Sequence, residues 1–269
     1  MSKLIVSANS KRHLNSLLKK DIDGVILSLD KLSVNDSFYV NVSEIEKINF
    51  GNLEVFISLN KLMHNSDLPY LEEVMSKLKD MNVKILFYDM AVYNIAKRLN
   101  MVSKLVIYQD HLNASSLSNK FYNDLGINYS FISSDITEEE LLEIKKNSKM
   151  KIMFLCYGYV PIFYSRRYLV KNYLKYINEK NGNDYKIISD TGITYPIVEE
   201  EYGTTIYSSK EVNLINYLDK LSNIDYLIMR SNMIDDDSFN LMVDKYIRHE
   251  SIDDAYIGFF NTKTIYKVK

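Results

Sequence analysis

The sequence contains little cysteine, glycine and proline. Its 269 residues include one Cys, eight Gly, three Pro and no Trp. The single cysteine, Cys156, excludes an internal disulfide and any zinc or iron–sulfur site built from several cysteines of one chain. Average proteins contain about 7% Gly and 5% Pro, so this chain lies well below the average content of both. No low-complexity linker is visible in the sequence. Because the sequence provides no disulfide, we expect a cytoplasmic protein.

Strong net charge and long apolar runs are also lacking. Lys and Arg total 33 and Asp and Glu total 35, so the formal net charge is −2. That balance gives no overall attraction to nucleic acid or anionic membrane, although it leaves room for a local basic patch. A membrane helix needs about 18 apolar residues, and the first apolar stretch is also too short for a signal-peptide core. We therefore expect no membrane partner.

Short apolar runs alternate with amphipathic helical patterns along most of the chain. The runs predict eight strands at 4–8, 24–29, 53–59, 83–88, 104–108, 129–132, 152–156 and 225–229. A repeated strand–helix pattern is typical of α/β folds with a parallel sheet. Eight such units favour a TIM-type (β/α)8-like barrel, and a doubly wound open sheet is the alternative.

The alternation of apolar runs and helical patterns stops after residue 178. A turn at 181–184 is followed by three short runs typical of antiparallel strands. We predict a single barrel domain over 1–269, with a small antiparallel β insertion at about 181–208 after the seventh strand. A helix over 209–221 then precedes the eighth strand. The C-terminal tail, at about 251–269, is expected to be extended.

Polar residues follow many of the predicted strands. In barrels of this type, active sites lie at the carboxyl ends of the strands. Carboxylates and a histidine at those ends suit acid–base work, and a divalent metal is an alternative use for them. Because strand ends meet water in any case, their polarity also has a purely structural explanation. The candidates for catalysis are Asp89, His111 and Asp135, and those for substrate binding are Asn60, Gln109 and Arg230.

A basic and aromatic stretch follows the seventh strand. We predict a helix that carries Arg166 and Arg167 at its start and Lys171 and Lys175 on one face. Basic groups bind phosphates and tyrosines stack on unpaired bases, so Tyr164, Ser165, Arg167 and Lys171 are further candidates for substrate binding. A solvated outer helix face explains the same pattern. Cys156, inside the apolar strand, is expected to be inert packing.

The order of these segments resembles the peptidase U32 family, the collagenase-like peptidases, over about residues 4–250. The similar segments are Asp23–Leu27 (DGVIL), Val55–Lys61 (VFISLNK), Phe87–Met90 (FYDM), Ser133–Leu141 and Gly158–Leu169 (GYVPIFYSRRYL). The last of them is similar to the family signature, which it matches at Gly158, Tyr164, Ser165 and Arg167. This chain looks like a short form that lacks the signature cysteines, whose positions hold Pro161 and Tyr168.

The resemblance implies a TIM-like barrel and leaves three functions open. The first is a hydrolase that acts on peptides, because members are labelled peptidases, although no protease site is readable. The second is a tRNA-modification factor that acts on a uridine, because other members are linked to hydroxylation of tRNA. The third is a non-catalytic partner of a longer family paralogue. The cluster-bearing members bind iron–sulfur through cysteines, so such a cofactor is not expected here, and any other cofactor is unknown.

Overall fold

The computed structural model describes residues 2–109, 112–180 and 185–262. The chain divides into two compact units. The first comprises Met1–Gly158 and Asn213–Lys269, and the second comprises Tyr159–Val212. In the described ranges, no helix combines the length and the apolar character needed to cross a membrane.

The first unit is a closed barrel of eight parallel strands. They are β1 (Lys3–Ser7), β2 (Gly24–Leu29), β3 (Glu54–Leu59), β4 (Lys84–Phe87), β5 (Leu105–Tyr108), β6 (Tyr129–Phe131), β7 (Lys151–Gly158) and β8 (Tyr226–Met229). Each strand pairs with the next, and β1 pairs with both β8 and β2, which closes the sheet. All eight predicted strands are present, and the TIM-type fold class is confirmed. A two-residue strand, Tyr39–Val40, pairs with β2.

Helices occupy the connections between the strands. They are α1 (Lys11–Leu17), α2 (Val42–Ile45), α3 (Leu68–Leu78), α4 (Met90–Arg98), α5 (Ser116–Asp124), α6 (Glu138–Asn147), α7 (Leu169–Tyr176) and α8 (Asp236–Arg248), with short 3-10 turns at Asn65–Asp67, Val102–Lys104 and Ile215–Tyr217. In α3, for example, Leu71, Val74 and Leu78 are buried and form the face that packs against the barrel. Thr137 and Glu140 form a capping box at the start of α6, as their spacing indicates.

The predicted helix over 209–221 is wrong. Only the 3-10 turn Ile215–Tyr217 forms there, after a two-residue strand at Val212–Asn213. The backbone N–H groups of Asn213 and Leu214 donate to the carbonyls of Tyr256 and Cys156, at 2.7 and 2.9 Å. Because these amides bond to distant segments, they cannot take part in a helical turn.

The second unit holds a four-stranded antiparallel sheet and α7. Its strands, in spatial order, are Lys186–Ile188, Thr194–Glu200, Gly203–Tyr207 and Pro161–Ser165. The predicted insertion at about 181–208 contains the first three, and residues 181–184 lie outside the described ranges. The fourth strand, Pro161–Ser165, was not predicted. Of the predicted tail, residues 251–262 are described and contain turns without a strand.

A charged cluster lies at the amino end of the barrel. Glu54 of β3 accepts hydrogen bonds from Lys3 of β1 and Lys84 of β4. It also accepts one from the hydroxyl of the buried Tyr226, at 3.2 Å. Burial alone would raise the pKa of Glu54, but the two lysines outweigh that effect and lower it. Glu54 of β3 therefore links side chains of β1, β4 and β8 at this end of the barrel.

We expect Glu54→Gln to destabilise the protein by about 1–3 kcal/mol, because it leaves the partly buried Lys84 and the exposed Lys3 without their charged acceptor. Urea unfolding at pH 7 measures this. The matched control is Glu73→Gln on α3, whose exposed bridge to Lys77 should contribute little. Equal losses for both variants would contradict a structural role for the cluster.

Candidate functional site

Arg230 crosses the carboxyl end of the barrel. It follows β8 directly and is 4% exposed. Its guanidinium donates to the carbonyl of Asn35 at 3.2 Å, lies 3.7 Å from Asp36 Oδ1 and sits 5.9 Å from the centre of the Tyr108 ring. Asp36 also accepts a hydrogen bond from Ser28 of β2, at 2.6 Å. The predicted binding residue Arg230 is thus held across the barrel mouth, from β8 to the loop after β2.

Two predicted residues, Asn60 and Asp89, are engaged by the backbone. The buried carboxamide of Asn60 accepts from Val34 N–H at 2.8 Å and donates to Val34 C=O at 3.0 Å. Asp89 caps α4 by accepting from Ala91 N–H at 2.8 Å, and its other oxygen accepts from Met63 N–H at 3.0 Å. In this geometry both side chains hold loops in place at the barrel mouth.

The remaining strand-end candidates are Gln109, Asp135 and His111. Gln109 is half-buried and accepts a hydrogen bond from the Tyr122 hydroxyl at 3.2 Å. Asp135 is exposed on the loop after β6. His111 lies outside the described residues, so its predicted role stays a prediction. Among the residues that are described, no group of three or more His, Cys, Asp or Glu side chains is arranged to hold a metal ion.

A bulge in β7 brings this strand close to β8. Leu155 pairs with Ile228, but the next residue of β8, Met229, pairs with Tyr157. The register therefore skips Cys156. Gly158 then has φ +129°, and a Cβ there would lie 2.6 Å from the carbonyl oxygen of Arg230. Only glycine tolerates both that backbone conformation and that approach. The glycine that matches the family signature therefore allows the end of β7 to pass close to the backbone of Arg230.

Cys156 is fully buried at this bulge. Its thiol donates to the Ile228 carbonyl at 3.3 Å, and burial raises the pKa of the thiol well above its ordinary value. A metal-binding thiolate is disfavoured at such a site, and the sequence contains no second cysteine. The residues of this chain therefore do not fit an iron–sulfur cluster.

We expect Gly158→Ala to cost about 3 kcal/mol or more, because backbone strain and steric overlap add. Gly51→Ala is the matched control. Gly51 also has a positive φ, of +56°, but no atom lies within 4 Å of the position of its Cβ. That variant should lose only about 1–2 kcal/mol. Similar losses of stability for the two variants in urea unfolding would show that the close approach of the Arg230 carbonyl does not contribute to the cost at position 158.

His13 of α1 is buried, at 1% exposure. Its Nδ1 accepts from the Asn9 backbone N–H at 3.1 Å and lies 3.2 Å from Asp236 Oδ1. Its ring meets Phe239 edge-on. Burial lowers the pKa of His13, and the charge of Lys20 adds to this, whereas Asp236 opposes it. We infer that the folded protein holds a neutral imidazole here.

This burial makes stability depend on pH. The lowered pKa favours the neutral imidazole in the folded state, so its contribution is present above the unfolded pKa of about 6.5 and is lost as pH falls below it. We expect His13→Asn to reduce the loss of stability between pH 7.5 and 5.5, measured by urea unfolding. His249→Asn, at an exposed left-handed position, is the control. An unchanged pH dependence in His13→Asn would refute this interpretation.

The second candidate site is the exposed face of α7. Tyr168, Lys171, Asn172, Lys175 and Glu179 line a groove of about 480 Å³. The Lys171 ammonium lies 5.5 Å from the centre of the Tyr168 ring. Glu199, from the sheet of the same unit, accepts from the backbone N–H groups of Val170 and Lys171, at 2.8 and 3.1 Å. The helix is thereby fixed with its lysines facing solvent.

The residues before α7 differ from the prediction. Arg166 and Arg167 were predicted at the start of the helix, but they lie in a bend, and the helix begins only at Leu169. Both arginines are exposed. Tyr164 donates to the Tyr202 carbonyl at 2.8 Å, and Ser165 accepts from Arg167 N–H at 3.3 Å. These two predicted binding residues therefore shape the bend that presents the arginines.

The eight paired strands and the helices in their connections define a parallel (β/α)8 barrel. A small antiparallel unit lies between β7 and β8 in the sequence. The family model described as "Peptidase family U32" matches residues 10–266. The chain belongs to that family.

A curated relative, "tRNA hydroxylation protein P2" of Bacillus subtilis (strain 168), is 26% identical over 177 residues. The match covers 62% of this chain and 57% of the relative. This chain therefore spans little more than half the length of the relative that it matches.

Proposed function

We propose that this protein is an RNA-binding component of a tRNA hydroxylation system, with a tRNA uridine as the target and the face of α7 as the RNA contact. The observation that carries the proposal is the solvent-facing lysine groove on α7, with the two exposed arginines before it. The name of the Bacillus relative, a tRNA hydroxylation protein, supports the same function.

The local charge supports contact with a phosphate backbone. Between residues 166 and 180 the basic residues are Arg166, Arg167, Lys171, Lys175 and Lys180, and the single acid is Glu179. The Tyr173 and Tyr176 side chains of α7 are 61% and 83% exposed. Exposed basic groups bind phosphates, and exposed aromatic rings stack on unpaired bases.

A partner chain belongs to this proposal. The residues at the signature cysteine positions, Pro161 and Tyr168, offer no thiolate to ligate an iron–sulfur cluster. If hydroxylation uses an iron–sulfur centre, another protein has to supply it, and a longer family paralogue is the partner we propose. The present chain would then contribute RNA binding.

The alternative, a peptidase, has less support. Both Asp89 oxygens accept from backbone N–H groups, which leaves this carboxylate poorly placed to activate water. The other carboxylate candidate, Asp135, is exposed. Cleavage of a peptide by the purified protein, abolished in Asp89→Asn, would favour this alternative.

We expect Lys171→Gln/Lys175→Gln to weaken tRNA binding and to flatten its salt dependence. The slope of log K against log salt is negative, and each lost phosphate contact reduces its magnitude by about 0.7–0.9. Fluorescence anisotropy between 50 and 200 mM salt measures both. The matched control is Lys146→Gln/Lys149→Gln, which removes the same charge from two other exposed lysines. Equal slopes in wild type and both variants would refute the proposed contact.

The same variants test the function in the host. Mass spectrometry of tRNA nucleosides should show loss of a hydroxylated uridine when the gene is deleted. The wild type and the Lys146/Lys149 control should restore it, and the Lys171/Lys175 variant should not. An unchanged nucleoside profile after deletion would contradict a role in tRNA hydroxylation.

A further inference from the structure

The groove along α7 contains one carboxylate beside its two lysines. Tyr168, Lys171, Asn172, Lys175 and Glu179 line this groove, and its volume is about 480 Å³. If the groove binds a phosphate backbone, as proposed above, the negative charge of Glu179 weakens the attraction of the two lysines for phosphate. The presence of a carboxylate in this groove therefore needs its own explanation.

The end of the helix fixes the position of Glu179. The last residue of α7 is Tyr176, and Asn178 then has φ +58°, the left-handed conformation typical of a helix cap. The Glu179 backbone N–H donates to the Leu174 carbonyl at 2.9 Å. This hydrogen bond ties Glu179 to the last turn of α7, and its exposed side chain lines the groove together with Lys175.

Stability of the helix does not account for this carboxylate. The helix dipole opposes a negative charge at the carboxyl end of a helix. A lysine four residues before a glutamate is also the less favourable order for such a pair. In the described ranges, no lysine or arginine forms an ion pair with Glu179. The carboxylate is therefore available to a ligand in the groove.

The chemistry of a carboxylate limits what that ligand offers. An ionised carboxylate accepts hydrogen bonds and cannot donate them. The phosphates of a nucleic acid are acceptors too, but the ribose 2′-hydroxyl is also a donor, and DNA lacks this group. In a sugar–phosphate backbone, the 2′-hydroxyl is thus the group that suits Glu179.

We infer that Glu179 accepts a hydrogen bond from a ribose 2′-hydroxyl in the α7 groove and thereby makes the groove prefer RNA to DNA. Lys171 and Lys175 contact phosphates of the same strand. Toward DNA the carboxylate contributes repulsion alone, so it favours the correct ligand and also disfavours the wrong one. The inference rests on the proposed function and deepens it by naming the residue that distinguishes RNA from DNA.

Fluorescence anisotropy with the full-length protein tests this role, using a tRNA and a DNA strand of the same sequence at 50 mM salt. The wild type should prefer the tRNA, and Glu179→Ala should reduce the ratio of the two affinities by about fivefold or more, because hydrogen bonds to charged groups are strong. The Glu179 side chain is exposed, so this substitution should not disturb the fold.

The matched control is Glu143→Ala, which removes the same charge from an exposed position on α6 and should keep the wild-type ratio. Because each variant meets the same two nucleic acids, any difference between the shapes of RNA and DNA cancels in the comparison of variants.

The outcomes separate this inference from the proposed function. An equal rise in the affinity of Glu179→Ala for both nucleic acids would show that the carboxylate only repels phosphate, and would overturn the inference. Equal affinities of the wild type for tRNA and DNA, with binding that still depends on Lys171 and Lys175, would overturn the inference alone. Absence of tRNA binding to the wild type would remove the proposed function as well.

Discussion

The close approach of β7 and β8 at Gly158 is the constraint on which the barrel mouth depends. The bulge at Cys156 shifts the register by one residue, and the glycine then lets the Arg230 carbonyl come nearer than any side chain would permit. The Arg230 guanidinium can therefore lie across the mouth beside Asp36 and Tyr108. The path of the backbone at Arg230 thus depends on a residue that itself bears no functional group.

The barrel was predictable because each of its strands is a short apolar run. β2, for example, is buried along its whole length, as expected for a strand covered by packing on both sides. The strand Pro161–Ser165 was not predicted, because it forms only by pairing with Gly203–Tyr207, about forty residues later in the chain. The helix predicted over 209–221 failed for a related reason, since long-range hydrogen bonds there outweigh local helical periodicity.

Position at a strand end identified residues of the mouth, but it did not reveal what they do. Asn60 and Asp89 lie where the sequence placed them, yet their polar atoms stabilise loops. Asp36 was missed, because it follows an apolar strand by several residues. Its contact with Arg230 becomes visible only once burial and hydrogen-bond partners are known, and neither quantity can be read from spacing along the chain.

The charge of the whole chain is a poor guide to its surfaces. A net charge of −2 argued against nucleic acid in general, yet the segment from 166 to 180 carries five basic residues and one acid. Glu199 fixes the first turn of α7 from the sheet, so these lysines are held on a rigid helix that faces water. Because the range of charge interactions at physiological salt is only about 8 Å, a phosphate at that face responds to the local lysines and not to acids elsewhere. The local arrangement, and not the total charge, is therefore what an RNA ligand would encounter.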